Sequence, residues 1–479
     1  MKNNRMLLIS LILFIFLGNI IFAIPDPSLI YCEEMGYKIK INKTELGEYG
    51  VCVIEENVTE YDSWDFFTGK VGKEYSFCVK EGFEIETVRD GKNPYSPEYA
   101  VCILNGDKSS SVSTQSKIKK SSNEDKIPMI DLMNLDEKIL NKGLDFIKSK
   151  NFIENKNLLK TKNMESSSSS SLPPSFDWRN YNGYNWLTPV KSQRCGNCWA
   201  YSAVGAVEAK IKIARNDPNF DIDLSEQYLV SCSNAGSCSG GDERSALTYI
   251  KDYGITDDYC FKDSGKDEPC SNRCPTWNKR LWNIDNVTSF YTRVSDEDIK
   301  TYLIEKGPLA AGMFYAGYWD GDIYRCNEND PKYPRAGHAV VIVGYNDTGG
   351  YWIIKNSWGV EYQDKGYFKL GYGECDIGNF GISYVELSKK PSYDIKADKI
   401  EVLTGSKSGT ISNTYYNDGN YMTFSEKCFL LNCDGLDIII DISPKNLSDI
   451  ASIDLITNHR ARDESDFYLF YLNYNNVSW

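Results

Sequence analysis

The sequence predicts an α+β protein built from several units, and three observations carry that reading. A small cysteine-bearing unit is written twice near the N-terminus, a helical apolar stripe near residue 200 precedes apolar strands near 340 and 352, and β-type alternation takes over beyond about residue 388. At 479 residues the chain exceeds the ~250–300 residues at which a single core stops growing. With 41% hydrophobic residues and 13% aromatics it can bury cores, which excludes wholesale disorder and collagen-like structure. Its 53 basic and 67 acidic residues leave a formal charge of −14. That charge opposes attraction to nucleic acid or anionic lipid, so neither is an expected partner.

The first element, residues 1–23, reads as a signal peptide. Lys2 and Arg5 precede the apolar run Met6 to Leu17, and Ala23 offers a small residue for cleavage before Ile24-Pro25. An uncleaved anchor is the alternative, but Gly18 and Asn19 interrupt the run. No later segment approaches the ~18 uninterrupted apolar residues of a membrane span. The processed protein is therefore expected to be secreted or extracytoplasmic, with attachment to a cell surface left open. Fifteen cysteines fit an oxidising compartment.

Residues 24–104 contain the repeat. Cys32, Gly36 and the strand-like Tyr37-Lys38-Ile39 lead to Val51-Cys52-Val53; Cys78, Gly82 and Phe83-Glu84-Ile85 lead to Val101-Cys102-Ile103. Each copy reads as Cys, turn glycine, strand, loop, and a second strand carrying Cys, and a disulfide within each copy is the economical pairing. The first copy resembles a small secreted bacterial and archaeal domain of unknown function through Asp26-Pro27, Cys32 and Trp64-Asp65-Phe66-Phe67. The resemblance implies no chemistry.

Residues 105–171 form a Ser- and Lys-rich linker and candidate prosegment. Within it Ile130, Leu132, Met133, Leu135, Ile139, Leu140, Leu144, Phe146 and Ile147 recur at roughly helical spacing, and Ser166 to Ser171 make a flexible, cleavable tether. Beyond the central unit, residues 389–479 read as a β-sandwich-like module. Alternation in Leu436, Ile438, Ile440 and Ile442 and the run Phe467 to Tyr474 supply its strands.

The chemistry lies in 172–388. Ala200, Val204, Val207 and Ile211 form an apolar stripe at helical spacing, which places Cys198 at a helix N-terminus. The dipole and unpaired N–H groups there favour a thiolate, the nucleophilic form. Cys195-Gly196-Asn197-Cys198 as half a zinc site lacks a nearby His and a second Cys-x-x-Cys. As a redox pair it lacks a βαβ context. A catalytic cysteine instead needs a distant imidazole and a group to orient it. Only His338 and His459 exist, and His338 opens the apolar strand His338 to Tyr345; the next strand, Tyr351 to Lys355, delivers Asn356-Ser357-Trp358-Gly359. The Asn356 amide oxygen can fix the imidazole, and Trp358 can keep water from that bond.

On Gln193 to Ala200, Gly337-His338-Ala339 and Asn356-Ser357-Trp358-Gly359, together with Leu224-Ser225-Glu226-Gln227, Cys238-Ser239-Gly240-Gly241 and Gly307-Pro308, the chain resembles the papain-like cysteine peptidases over residues 172–388. Within that family it looks most like the cathepsin X branch, without the insertion that makes that branch a carboxypeptidase. The resemblance implies a papain-like two-lobe fold, one lobe helical and one β-rich, with the cleft between them. It implies a cysteine endopeptidase acting through a thioester, made as a zymogen, on peptide or protein substrates, without metal or organic cofactor and as a monomer. By carry-over Cys198 is the nucleophile, His338 the base and acid, Asn356 the orienter and Gln193 the side-chain oxyanion donor. Only Arg194 separates Gln193 from Cys195, where the family usually has two residues. Gly240, Gly241, Asp242 and Trp358 are implied to bind substrate, with Asp242 and Glu243 at the mouth of the pocket for the side chain two places before the cut. The resemblance pairs Cys195 with Cys238 and Cys232 with Cys270; Cys260, Cys274, Cys326 and Cys375 complete the even count left by Cys198, and Cys260 with Cys274 and Cys326 with Cys375 is one assignment of a connectivity that spacing leaves open. Two rival functions remain: an inert papain-like binding protein, and a transglutaminase-like acyl transferase, which normally uses Asp where Asn356 stands.

Overall fold

The computed structural model describes residues 23–54, 59–104, 126–136, 138, 172–327 and 336–387, and the backbone of short strands between 397 and 442. Two compact units divide the chain, Met1–Ser388 and Lys389–Trp479.

In the first unit the helix Cys198–Arg215 is buried along most of its length, as its stripe of Ala, Val and Ile requires. Around it stand the helices Glu226–Cys232 and Glu243–Tyr253, started by Ser225 and Asp242, whose side chains accept backbone N–H groups. Three disulfides staple this helical lobe: Cys195–Cys238, Cys232–Cys270 and Cys260–Cys274.

The facing lobe is a sheet in the order Asn286–Phe290, Ile382–Glu386, Leu309–Tyr315, Ala336–Asn346, Tyr351–Lys355, Tyr367–Gly371, Ile323–Cys326, Gly317–Asp320. Its central strand Ala336–Asn346 is buried at all but its last residue, which explains an unbroken apolar run in place of alternation. The short strand Ser175–Asp177 pairs with its far end. Cys326–Cys375 closes this lobe.

Each N-terminal repeat has one plan. In the first, the helix Pro27–Glu34 leads through Gly36, at φ +79°, into the antiparallel strands Lys38–Thr44, Gly47–Ile54 and Thr59–Asp62 and the helix Ser63–Phe67. In the second, the helix Phe77–Lys80 leads through Gly82, at φ +83°, into Glu84–Arg89, Glu98–Ile103 and Lys126–Pro128 and the helix Met129–Met133. Both glycines adopt the left-handed conformation that lacks a penalty only for glycine. The disulfides are Cys32–Cys52 and Cys78–Cys102, one within each copy.

The second repeat therefore takes its last strand and helix from inside the segment that composition sets apart as a linker. The helical pattern beginning at Ile130 yields a helix of five residues, Met129–Met133, with Met129, Ile130, Met133 and Leu135 buried in the main apolar core. The remainder of that expected helix, from Ile139, lies outside the described residues, as does the tether Ser166 to Ser171.

In the second unit Ala397–Val402 pairs with Ile438–Ile442, Ser406–Ser408 with Thr423–Ser425, and Lys427–Phe429 with Asn432–Asp434, where Cys428 stands opposite Cys433. The expected strand at Leu436 to Ile442 is present as Ile438–Ile442; Phe467 to Tyr474 lies outside the described residues.

Candidate active site

Cys198 is the first residue of the buried helix and the one free cysteine among the described residues. Asn197 precedes it without capping the helix; its amide instead donates to Asp263, 3.2 Å away. The thiol sulfur accepts the backbone N–H of Ala339 at 3.3 Å, which sets it beside the residue that follows His338. The thiol comes from the helical lobe and the imidazole from the sheet.

His338 stands in the central strand opposite Met313. Its Nε2 is 2.8 Å from Asn356 Oδ1, and that same oxygen accepts the Ser357 N–H at 2.9 Å. The indole of Trp358 lies along the imidazole, with centroids 4.8 Å apart, and Tyr315 meets it edge-on at 5.7 Å. Nδ1 is buried and has no hydrogen-bond partner among the described residues. Burial pushes the thiol up to about 12 and the imidazole down to about 4, against the weaker pull of the Ala339 N–H on the one and of Asn356 on the other. Desolvation outweighs the helix dipole here, and the covered pair rests as neutral thiol and neutral imidazole.

The single residue between Gln193 and Cys195 does not turn the glutamine away. Its backbone N–H donates to Ser357 O at 2.8 Å and its Oε1 accepts the Ser357 hydroxyl at 2.5 Å. These bonds aim Nε2 at two carbonyl oxygens, Cys195 at 2.8 Å and Ile24 at 2.9 Å. Arg194 turns outward and ion-pairs with Asp263. A side-chain N–H is thus aimed at a carbonyl oxygen of another segment, beside a buried thiol at a helix start: the layout an acyl transfer needs.

Gly240–Gly241 is a short strand paired with Gly236–Ser237. A Cβ on Gly241 would meet the Trp199 indole at 2.6 Å, so glycine is required there by packing against Trp199. Asp242 is held by its own helix. Its carboxylate caps the helix Glu243–Tyr253 through the Ser245 N–H and pairs with Arg244; although burial opposes ionisation, Arg244 holds it below the usual carboxylate range. Local helix-start chemistry claims this side chain, a role that the sequence signal Asp-Glu before a helix also permits. Glu243 is buried, with both oxygens unpartnered among the described residues, and desolvation followed by repulsion from Asp242 pushes it up to about 7.

Ile24, Glu48 and Trp64 of the first repeat also reach the site, and none was legible as a site residue. Ala23 and Ile24 read as a leader cleavage site, and Trp64 as part of a motif without chemistry; nothing in their local sequence indicates where they dock.

Of known families, the profile described as Papain family cysteine protease matches residues 172–385, and the one described as Domain of unknown function (DUF333) matches 23–70. Cathepsin Z of Onchocerca volvulus is 30% identical over 225 residues, covering 43% of this chain and 72% of its own. Cathepsin S of Rattus norvegicus is 32% identical over 250 residues, covering 47% and 68%. Among solved structures, digestive procathepsin L2 from Tenebrio molitor larval midgut is 32% identical, with 46% of this chain and 70% of that one covered and a TM-score of 0.39.

Proposed function

The chain belongs to the papain family of cysteine proteases and is a cysteine peptidase; from that premise we propose an extracytoplasmic endopeptidase, made as a zymogen, that cuts peptide bonds through a thioester on Cys198. Secretion is supported by the leader-like N-terminus and by six disulfides among the described residues. No helix among them is long and apolar enough to cross a membrane.

In this reading His338 takes the thiol proton through Nδ1, the thiolate attacks the substrate carbonyl carbon, and Gln193 Nε2 steadies the oxygen as it becomes an oxyanion. The imidazolium then protonates the leaving amine, and water, activated by the same imidazole, hydrolyses the thioester. Asn356 keeps Nε2 occupied and the ring fixed, under the cover of Trp358. Gly240 and Gly241 offer backbone to an extended substrate, while Asp242 caps the helix that follows. The observation that carries the proposal is the 2.8 Å bond from His338 to Asn356, made on the same strand whose next residue donates to the thiol of Cys198.

The test is hydrolysis of internally quenched peptides after limited proteolysis in the 139–171 segment, with the products identified by mass. Cys198→Ala and His338→Ala should each lower kcat by at least about 10³-fold while circular dichroism stays native, and Asn356→Ala by less. Cuts inside the peptides mark an endopeptidase; stepwise loss from one end, or turnover that survives Cys198→Ala, overturns the assignment.

A further inference from the structure

Neither catalytic side chain can meet a substrate as the chain stands: Cys198 is 1% exposed and His338 0%. The cover includes the segment that leads into the first repeat, Ala23-Ile24. Ala23 bridges in parallel to Gly337, the residue before His338. The Ile24 N–H donates to Gly337 O at 3.2 Å, and the Ile24 carbonyl oxygen accepts Gln193 Nε2 at 2.9 Å. Ala23 shares an apolar cluster with Cys198, Ala235 and Ala339, and a Cβ on Gly196 would meet its carbonyl oxygen at 3.0 Å. The carbonyl presented to the oxyanion donor is thus that of Ile24, and the atom bonded to it in the leaving position is the nitrogen of Pro25.

The first repeat clamps this segment in place from both lobes. Trp64 Nε1 donates to the Trp358 carbonyl at 3.0 Å, and its ring lies 4.9 Å from that of Tyr362. Glu48 threads between two loops: its N–H donates to Val190 O and its carbonyl accepts from Val360, both at 2.8 Å, while its carboxylate accepts the Ser192 N–H at 3.0 Å. Lys43 reaches Asp223 and Asp258 of the helical lobe.

We propose that Ile24-Pro25 is a built-in pseudosubstrate: Ile24 fills the position before the scissile bond, Pro25 fills that of the leaving amine, and the first repeat thereby holds the peptidase shut. This rests on the roles given above to Cys198, His338 and Gln193. Two features keep the bond intact. The leaving nitrogen carries a ring carbon where an ordinary amide has its hydrogen, which crowds the side His338 must protonate. Pro25 also runs directly into the helix Pro27–Glu34, capped by Asp26 and tied by Cys32–Cys52, so a released amine stays at high local concentration beside the thioester and re-forms the bond. If the leader is removed after Ala23, Ile24 becomes the first residue and retains both contacts.

Two variants of the full secreted chain test this, read by alkylation of Cys198 with iodoacetamide and by the mass of the N-terminus. Ile24→Asp places a carboxylate in the dry site and should raise the alkylation rate about 100-fold over wild type, with circular dichroism unchanged. Pro25→Ala restores an ordinary leaving amine. The Cys198 thiolate then attacks the Ile24 carbonyl, the bond from that carbon to the backbone nitrogen of the substituted alanine breaks as His338 gives it a proton, and water frees the Ile24 carboxylate. The chain should start at residue 25, and the double variant with Cys198→Ala should keep its original start. Wild-type Cys198 reacting as fast as in Ile24→Asp overturns the proposal, as does a Pro25→Ala chain that keeps its N-terminus while hydrolysing added peptide. An Ile24→Asp protein with a reactive Cys198 and no peptide hydrolysis instead upholds the cover and refutes the peptidase assignment.

Discussion

The two N-terminal repeats share a scaffold and do different work. Both dock on the peptidase through a hairpin tip. In the first, Gly47 lies against Val190, three residues before Gln193, with its neighbour Glu48 bonded to Val190 and Val360. In the second, Gly91 lies against Trp319 on the edge strand Gly317–Asp320, its carbonyl accepting the Trp319 N–H at 2.8 Å, and Tyr95 stacks on Tyr315. One tip therefore meets the loop that carries Gln193, and the other meets the edge strand Gly317–Asp320 and Tyr315, whose ring lies edge-on to His338. The segment before each first helix differs too. Ahead of Pro27 lie Ala23 and Ile24, set against Cys198 and Gly337, whereas ahead of Phe77 the chain connects back to the first copy. A duplicated fold acquires a blocking role from its place in the chain and from the surface its tip meets.

The largest effect expected from this contrast comes from the disulfides. Replacing Cys32 and Cys52 by Ala should destabilise the first repeat by about 2–5 kcal/mol and raise Cys198 alkylation by about two orders of magnitude. Replacing Cys78 and Cys102 should destabilise the second repeat comparably and leave Cys198 alkylation within about threefold of wild type. Equal acceleration in both would mean that the repeats open as one unit, and the contrast would fail.

A smaller effect separates docking from folding within the first repeat. A Cβ on Gly47 would meet the Val190 carbonyl oxygen at 2.3 Å, at φ +142°, so Gly47→Ala should unseat the hairpin tip and raise alkylation about tenfold. Gly36 has nothing within 4 Å of its own Cβ position; Gly36→Ala meets only the left-handed backbone penalty of about 1 kcal/mol. Thermal melts and alkylation rates measured together distinguish the two, and a Gly36→Ala chain as reactive as Gly47→Ala would show that loss of stability alone opens the site.

The smallest effect is one of pH. Asp26 caps the first repeat's first helix, accepting from the Ser28 N–H and hydroxyl at 2.9 and 2.7 Å, and burial pushes its carboxyl up to about 8 against those hydrogen bonds. A carboxyl raised in the folded repeat favours folding in its protonated form. That contribution is whole below about pH 4 and is lost as pH rises toward 8. Cys198 protection should weaken over that window, and Asp26→Asn, uncharged and still able to accept, should restore about 1–3 kcal/mol at pH 8 and change nothing at pH 4. The second repeat caps its helix with Ser76, which does not titrate there, so its melting should lack this dependence. A pH-independent wild type would place the ionised carboxylate in the folded state.

The placement of three polar side chains was written locally. Cys198 at the head of an apolar helix, His338 opening an apolar strand and Asn356 closing the next one could be read because each sits at a fixed offset from a periodic pattern, and secondary structure converts such offsets into position. The pairing within each repeat was the economical one and Cys195–Cys238 and Cys232–Cys270 came from the family resemblance, whereas spacing left the connectivity of Cys260, Cys274, Cys326 and Cys375 open until the fold joined them. Gln193 reaches the site despite its short spacing because Ser357, 164 residues away, anchors both ends of it. No local rule predicts that anchor.

Asp242 shows a competing local demand: a carboxylate beside two glycines suggested a pocket, and the structure adds a helix cap and an Arg244 ion pair. The short strand Lys126–Pro128 looked like linker because only its partner Glu98–Ile103 makes it a strand. What covers the cleft was wholly a tertiary decision. Ala23, Ile24 and Pro25 read as the end of a leader, since burial, bond direction and the leaving-group position of Pro25 exist only once the first repeat has docked between Val190 and Val360. A sequence fixes the groups that react and the periodicities that bring them together; which distant segment lies over them depends on complementary surfaces that no short stretch of chain contains.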